Sequence, residues 1–453
     1  MITELVSAVQ DGRVDPVDLV TESLRRIEAS HDTLNAVVRV HAEEALAEAR
    51  DHACVGALAG LPLLVKDMAR CAGSRTTFGM VGYENAPPDT IDDAAIGRLR
   101  AAGAIVIGRS NTPAFGHAPF TANALYGATT NPWNPQRSPG GSSGGSGAAL
   151  AAGLVPLATT SDGGGSVRIP ASLCGLVGYK PTTGAIGRNV LPRWIEFSTQ
   201  GIAAHSVADV VAQAHVMLGP AAGDWLSVPA STVSIEPMRP ARIIACRTFR
   251  ADVDAVIEAA CEAALAALTA DGAVIERSPA PSDVGTAFHW FTVATAELSQ
   301  SLAGQRSDWD TYEPSLQEQL LYGETVSAAR YIESQRHRHV VGARFDELLG
   351  HEAVLVVPVS NVQSWGPRGP VDDFAGAVTG DPSIGLNTPD VNFTGHPAVS
   401  VPVGIDESGV PFGLQVIAPR WADGLALGVA AWLERLLPWA LVAPGYEPYP
   451  SGG

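Results

Sequence analysis

From residue 61 onward the chain alternates short apolar runs with helical stretches, and this alternation is what most narrows the architectures open to it. Leu61 to Val65 reads as a buried strand. Ala94 to Ala102 reads as a helix closed by Gly103, and Ile105 to Ile107 as the strand after it. The order recurs with Ser146 to Ala152 helical and Leu154 to Ala158 extended. It recurs again with Arg242 to Cys246 extended, Val253 to Leu268 helical and Val274 to Glu276 extended. Near the end, Val354 to Val357, Val399 to Val401 and Leu414 to Ile417 read as strands, and Asp423 to Leu437 as a closing helix. Strands separated by helices predict an α/β protein with a covered, partly parallel sheet. The first 50 residues read as helical: Asp15 before Pro16 is an N-cap with a first-turn proline, and Leu19, Leu24 and Ile27 form an apolar stripe. Val284 to Leu349 lacks strand signals and carries Phe288, Trp290, Phe291, Trp309, Tyr312 and Tyr322. It reads as a helical cap whose aromatics are core, some of them lining a pocket.

Composition excludes several classes. With 46% hydrophobic and 17% charged residues the chain can build a large core. No repeat or low-complexity linker divides it, which favours one large domain. The longest membrane-span candidate, Leu425 to Ala443, is broken by Glu434, Arg435 and Pro438. The opening Met1-Ile2-Thr3-Glu4 lacks the basic and apolar regions of a signal peptide. A net charge of −18 with no basic patch argues against nucleic acid as a partner. Five cysteines, Cys54, Cys71, Cys174, Cys246 and Cys261, are odd in number and lack metal spacing, as expected for reduced thiols in a cytosol. His337-x-His339 sits in a charged helical stretch and reads as solvent-facing, so no metal is expected.

Two features concentrate chemistry. Of 29 basic residues only Lys66 and Lys180 are lysine. Arginine stays charged in a protein, whereas a buried lysine can lose its proton and act as a base. The second feature is a pair of glycine-serine segments. Residues 138–147 read Ser-Pro-Gly-Gly-Ser-Ser-Gly-Gly-Ser-Gly. A flexible linker, a phosphate loop, a nucleophile elbow at Ser142 or Ser143, and a close-approach loop all compete here. The phosphate loop lacks its Gly-Lys-Ser/Thr ending, and the elbow lacks a strand before it. The other segment, Asp162-Gly163-Gly164-Gly165-Ser166-Val167-Arg168-Ile169-Pro170, lets backbone N–H groups converge beside a hydroxyl. That is the arrangement of an oxyanion hole, here from Gly163, Gly164, Gly165 and Ser166.

Taken together these segments resemble the amidase signature family. The likeness runs through Gly60 to Asp67, Asn131 to Asn134, Pro139 to Ser146, Ser161 to Ser172 and Gly175 to Thr182, then Asn392 to Ala398 and Gly413 to Gln415. It implies one domain over residues 1–453, with a central mixed, mostly parallel twisted β-sheet covered by helices on both faces. Within that domain lie a helical segment 1–55 and a helical substrate-side region about 284–349. It implies a catalytic triad of Lys66, Ser142 and Ser166, with Gly141–Ser142 a cis peptide. Ser166 would attack the carbonyl, Ser142 would relay the proton, and neutral Lys66 would be the base. No cofactor is implied.

The apolar run before Lys66 suits the burial such a base needs. Asp67 would oppose it if turned inward, and is expected to face away. Asp162, Ser143, Arg168 and Lys180 read as scaffold, as do His117, His205 and His396. The resemblance implies a hydrolase of carbon–nitrogen bonds other than peptide bonds. Low charge and the aromatics of residues 288–322 favour a small, uncharged, apolar or aryl amide. Carbamates, ureas and cyclic amides are alternatives on the same triad, and a non-catalytic binding protein is the remote one. The family also includes a glutamine-hydrolysing subunit of a tRNA amidotransferase. Its Tyr/Asp-containing stretch corresponds here to Ser383-Ile384-Gly385-Leu386-Asn387-Thr388, without either residue. Ala114 stands where many members have Glu. The partner expected is a small amide, without nucleic acid or membrane, and a homodimer is compatible with this reading.

Overall fold

The computed structural model describes residues 1–250, 252–369 and 384–450. Thirteen strands are found among them: β1 (Val37–Val40), β2 (Pro62–Lys66), β3 (Ile105–Ser110), β4 (Ala122–Asn123), β5 (Gly127–Ala128), β6 (Leu157–Asp162), β7 (Val177–Lys180), β8 (Thr199–Ala204), β9 (Arg242–Ala245), β10 (Ile275–Arg277), β11 (Ala353–Pro358), β12 (Ala398–Ile405) and β13 (Pro411–Ile417). Eleven make one sheet in the order β1-β3-β2-β6-β8-β7-β12-β13-β11-β9-β10, and β4 and β5 form a separate ribbon.

The α/β class, the mixed sheet and the single domain are as expected. The share of parallel pairing is smaller than expected. β2 is parallel to β3 and β6, and β9 to β10 and β11, while the other six neighbouring pairs are antiparallel. The reason lies in the connections. A helix joins each of several parallel neighbours, Ala94–Ala101 between β2 and β3 and Ala255–Ala270 between β9 and β10. The tight turn after Ile405, by contrast, obliges β12 and β13 to run antiparallel.

Side chains alternate between two buried faces. Leu63, Val65, Val106 and Leu157 enter one apolar cluster, and Leu64, Ile105, Ile107 and Ala158 enter the other. A sheet covered on both sides needs this continuous apolar character, which is why these strands read as unbroken runs.

β1 falls in the stretch expected to be helical. Its sequence, Val-Val-Arg-Val, is β-branched, and it adds an antiparallel strand to β3. The helix Pro16–Leu34 before it starts as expected, with the Asp15 carboxylate accepting from the Val17 N–H at 2.8 Å. Residues 284–349 are helical: Val284–Ser301, Pro314–Thr325 and Ala328–Leu349, with a 3-10 turn at Ala303–Thr311. No helix among the described residues is long and apolar enough to cross a membrane.

Candidate active site

β2 and β6 are parallel neighbours, so their carboxyl ends open at the same edge of the sheet, where ligands bind in α/β folds of this kind. Lys66 ends β2, and Ser161 and Asp162 end β6. The buried run Leu61 to Val65 carries the Lys66 ammonium into the protein, leaving that residue only 1% exposed. Its Nζ donates to Ser142 Oγ at 2.8 Å and to Ser161 Oγ at 3.1 Å, and its backbone N–H donates to Thr159 Oγ1. Burial strips water from the ammonium and lowers its pKa to about 7, even with Asp162 acting in the opposite direction. Asp67 faces away, as expected: it accepts from the Thr77 N–H at 3.1 Å, the Thr77 hydroxyl and Arg109 Nε at 3.3 Å.

Ser142 lies in the loop before the helix Gly144–Ala151, and the Gly141–Ser142 peptide is cis. The next N–H, of Ser143, donates to the Ser166 carbonyl at 3.3 Å and ties the two glycine-serine loops together. Scaffold roles for the remaining polar residues follow the same pattern. The fully buried Arg168 meets Asp162 at 2.8 Å and also donates to Gln415, Asn392 and the Thr388 carbonyl. Burial pushes the Asp162 carboxyl up, but Arg168, with Lys180 and the Asn392 hydrogen bond, holds it below the usual carboxylate range.

The Asp162–Ser166 loop is held by its carbonyls. Asp162 O accepts from Asn392 Nδ2, Gly163 O from the Trp290 indole N–H at 3.0 Å, Gly164 O from the Thr388 hydroxyl at 2.7 Å, and Gly165 O from the Ile169 N–H. In a trans peptide the following N–H points the opposite way, so fixing these oxygens fixes the amides. The N–H groups of Gly163, Gly164 and Ser166 have no acceptor among the described residues. Gly165 departs from the expected set of four: its N–H donates to Asp162 Oδ1 at 2.7 Å. The loop doubles back there with φ +128, where a Cβ would stand 2.2 Å from Thr388 Oγ1, so only glycine fits.

Ser166 borders two spaces. A cavity of about 440 Å³ is lined by Lys66, Ser142, Ser161, Ser166, Arg193 and Trp194, among others. A smaller one, about 50 Å³, is lined mainly by apolar groups, including Ile169, Trp290, Phe291, Ala294 and Leu386.

Comparison with known proteins bears on what this geometry serves. Residues 18–427 match the family model described as Amidase. The chain belongs to the amidase signature family. It is 32% identical to an acylamidase of Rhodococcus erythropolis over 97% of this chain and 95% of that one. It is 33% identical to a glutamyl-tRNA(Gln) amidotransferase subunit of Synechococcus sp. (strain CC9605), covering 94% of each. The structure of a 6-aminohexanoate cyclic dimer hydrolase bound to substrate superposes with a TM-score of 0.88 at 28% identity, covering 98% of both chains. The protein is therefore a carbon–nitrogen hydrolase that acts on amides.

Within this amidase the histidines expected to be structural are so engaged. His117 bonds the Ala114 carbonyl and Ser315, His205 the Leu150 carbonyl, and His396 Thr394 and Asp346. His337 is not simply solvent-facing: it is half-buried, stacked on His289 at 4.2 Å. Ala114 lies in an apolar cluster with Met80, Phe115, Leu298 and Leu302. Trp290 and Phe291 line the smaller space, whereas Trp309 is core at 1% exposure. Ser383 lies outside the described residues; of its neighbours, Asn387 and Thr388 make structural hydrogen bonds around the site.

Several site residues escaped the sequence reading. Ser161 and Thr159, two apart on β6, both reach Lys66; the period-2 spacing toward a neighbouring strand was the available signal. Thr388 and Arg193 come from distant segments with no catalytic motif to mark them.

Proposed function

We propose that the enzyme cleaves amides through an acyl-enzyme on Ser166. The observation that carries this is the 2.8 Å contact from Lys66 Nζ to Ser142 Oγ, beside Ser166 in one cavity. A serine hydroxyl is a weak nucleophile until a base removes its proton. Neutral Lys66 takes a proton from Ser142 as Ser142 takes one from Ser166, and the Ser166 oxygen bonds to the amide carbon. The oxyanion lies against the N–H groups of Gly163, Gly164 and Ser166, each donor worth about 3 kcal/mol in comparable sites. The tetrahedral species collapses as the C–N bond breaks and Ser142 gives a proton to the leaving nitrogen. Water then adds to the ester, returning a carboxylic acid and free Ser166.

The apolar lining of the smaller space beside Ser166 supports a small apolar acyl group. The similarity to a tRNA amidotransferase makes glutamine a reaction to include in any screen. The stretch ending in Asn387-Thr388, lacking both Tyr and Asp, weighs against it. The five free cysteines support a cytosolic setting.

A fluorophosphonate should add its mass to the peptide holding Ser166 and stop hydrolysis. Labelling at Ser142 or Ser143 with Ser166 unmodified would reverse the assignment.

A further inference from the structure

Three arginines line the larger cavity, and they differ in how their charge is met. Arg70 is exposed to water. Arg188 faces Asp224 at 3.4 Å and donates to the carbonyls of Ile195 and Ser198. Arg193 is half-buried, with its Cζ over the rings of Phe78 and Phe115 at 4.3 and 4.4 Å. Arg193 hydrogen-bonds the Tyr83 hydroxyl, but among the described residues its Nε is buried without an acceptor and no ion pair to it is formed. The indole N–H of Trp194, which lines both spaces, is also buried without an acceptor among the described residues.

This is an unusual expense in a chain with 47 acidic and 29 basic residues, where a carboxylate partner would be easy to supply. A guanidinium partly withdrawn from water is normally paired with an anion, because the lost hydration is not recovered from aromatic faces and one hydroxyl. One without an ion-pair partner among the described residues, facing a reaction cavity, suits a ligand oxyanion, and its planar fork favours a carboxylate. Lys66 and Ser142 open on the same space, so the limb that enters it is the one receiving Ser142's proton, the amine limb.

We propose that Arg193 is a specificity-determining residue that binds a carboxylate on the amine limb of the substrate, whose acyl limb occupies the apolar space. This rests on the acyl-enzyme reading above, and it replaces the wholly uncharged substrate expected from the sequence. Hydrolysis of such an amide adds OH from water to the acyl carbon and H to nitrogen, releasing an apolar carboxylic acid and an amino acid.

The test pairs N-propanoyl ω-amino acids of graded chain length with their neutral carboxamides. The wild-type enzyme should prefer the carboxylate at its best length by about tenfold or more in kcat/KM, mainly through KM. Arg193→Gln should bring that ratio close to one, and Arg193→Lys, which keeps a point charge without the fork, should fall between. Melting curves check that both variants fold, and the wild-type ratio needs no variant. Equal rates for acid and carboxamide at every length would overturn the assignment, as would a preference that survives Arg193→Gln. Labelling of Ser166 by a neutral fluorophosphonate is read in parallel. Labelling without carboxylate preference removes only the Arg193 proposal, and failure to label removes the acyl-enzyme beneath it.

Discussion

Lys66 and Lys180 are enclosed to the same degree, and burial lowers the pKa of both ammonium groups to about 7. What they touch separates them. Lys66 Nζ meets two hydroxyls in a cavity, whereas Lys180 Nζ donates to the Pro181 carbonyl at 2.9 Å and lines neither space. A base must be unprotonated, so kcat/KM should rise with pH through about 7 and then level. Below that value the ammonium cannot accept the proton. Lys66→Arg should lose about 10²- to 10⁴-fold in kcat and lack this ionisation, because arginine holds its proton. A rate profile of wild type and a folded Lys66→Arg protein from about pH 5 to about pH 9 checks both, and near-normal turnover by the variant would refute the base. Lys180, read from the sequence as scaffold, is fully buried. Lys180→Arg forces a larger head into a closed space and should lower stability by about 1–3 kcal/mol. Its pH profile should keep the ionisation near 7, which thermal melts and the same assay distinguish.

At the scale of an element, the loop from Asp162 to Ser166 behaves as a row of peptide planes pinned from behind. Thr388 holds the Gly164 carbonyl and Trp290 the Gly163 carbonyl, from segments more than a hundred residues away. Neither needs to touch the substrate carbonyl to matter. Thr388→Val keeps the shape and removes one hydrogen bond worth about 1 kcal/mol. If the loop's amides hold the oxyanion, kcat should fall about three- to tenfold with KM nearly unchanged. Steady-state kinetics on one amide suffice, and a change confined to KM would count against the loop's role.

Across the whole molecule, Arg168 is the knot. It joins the loop to Gln415 on β13, to Asn392 in the helix Pro389–Thr394 and to Thr388, contacts that span more than two hundred residues of chain. Removing one partner from a fully buried pair leaves Asp162 charged and enclosed. Arg168→Met should therefore cost about 3–5 kcal/mol in denaturant unfolding. A loss under about 1 kcal/mol would show that the network is dispensable.

Much of the active edge was legible in the chain alone. An apolar run ending in a rare lysine, and two glycine-serine loops, are local patterns whose physical demands are met within a few residues. Strand-helix alternation likewise announced the α/β class, since periodicity reports burial directly. Other features depended on residues far apart in sequence. β7 and β8, with Gly178, Gly201 and few β-branched residues, become central strands only because neighbours cover them. The antiparallel pairing of β12 and β13 followed from their tight turn, and the Gly165 amide was diverted by Asp162 folding back onto it. The Arg193 charge lacks an ion-pair partner among the described residues because the fold brings no acidic side chain of theirs to it. That is a property of tertiary contacts, and no local pattern encodes it.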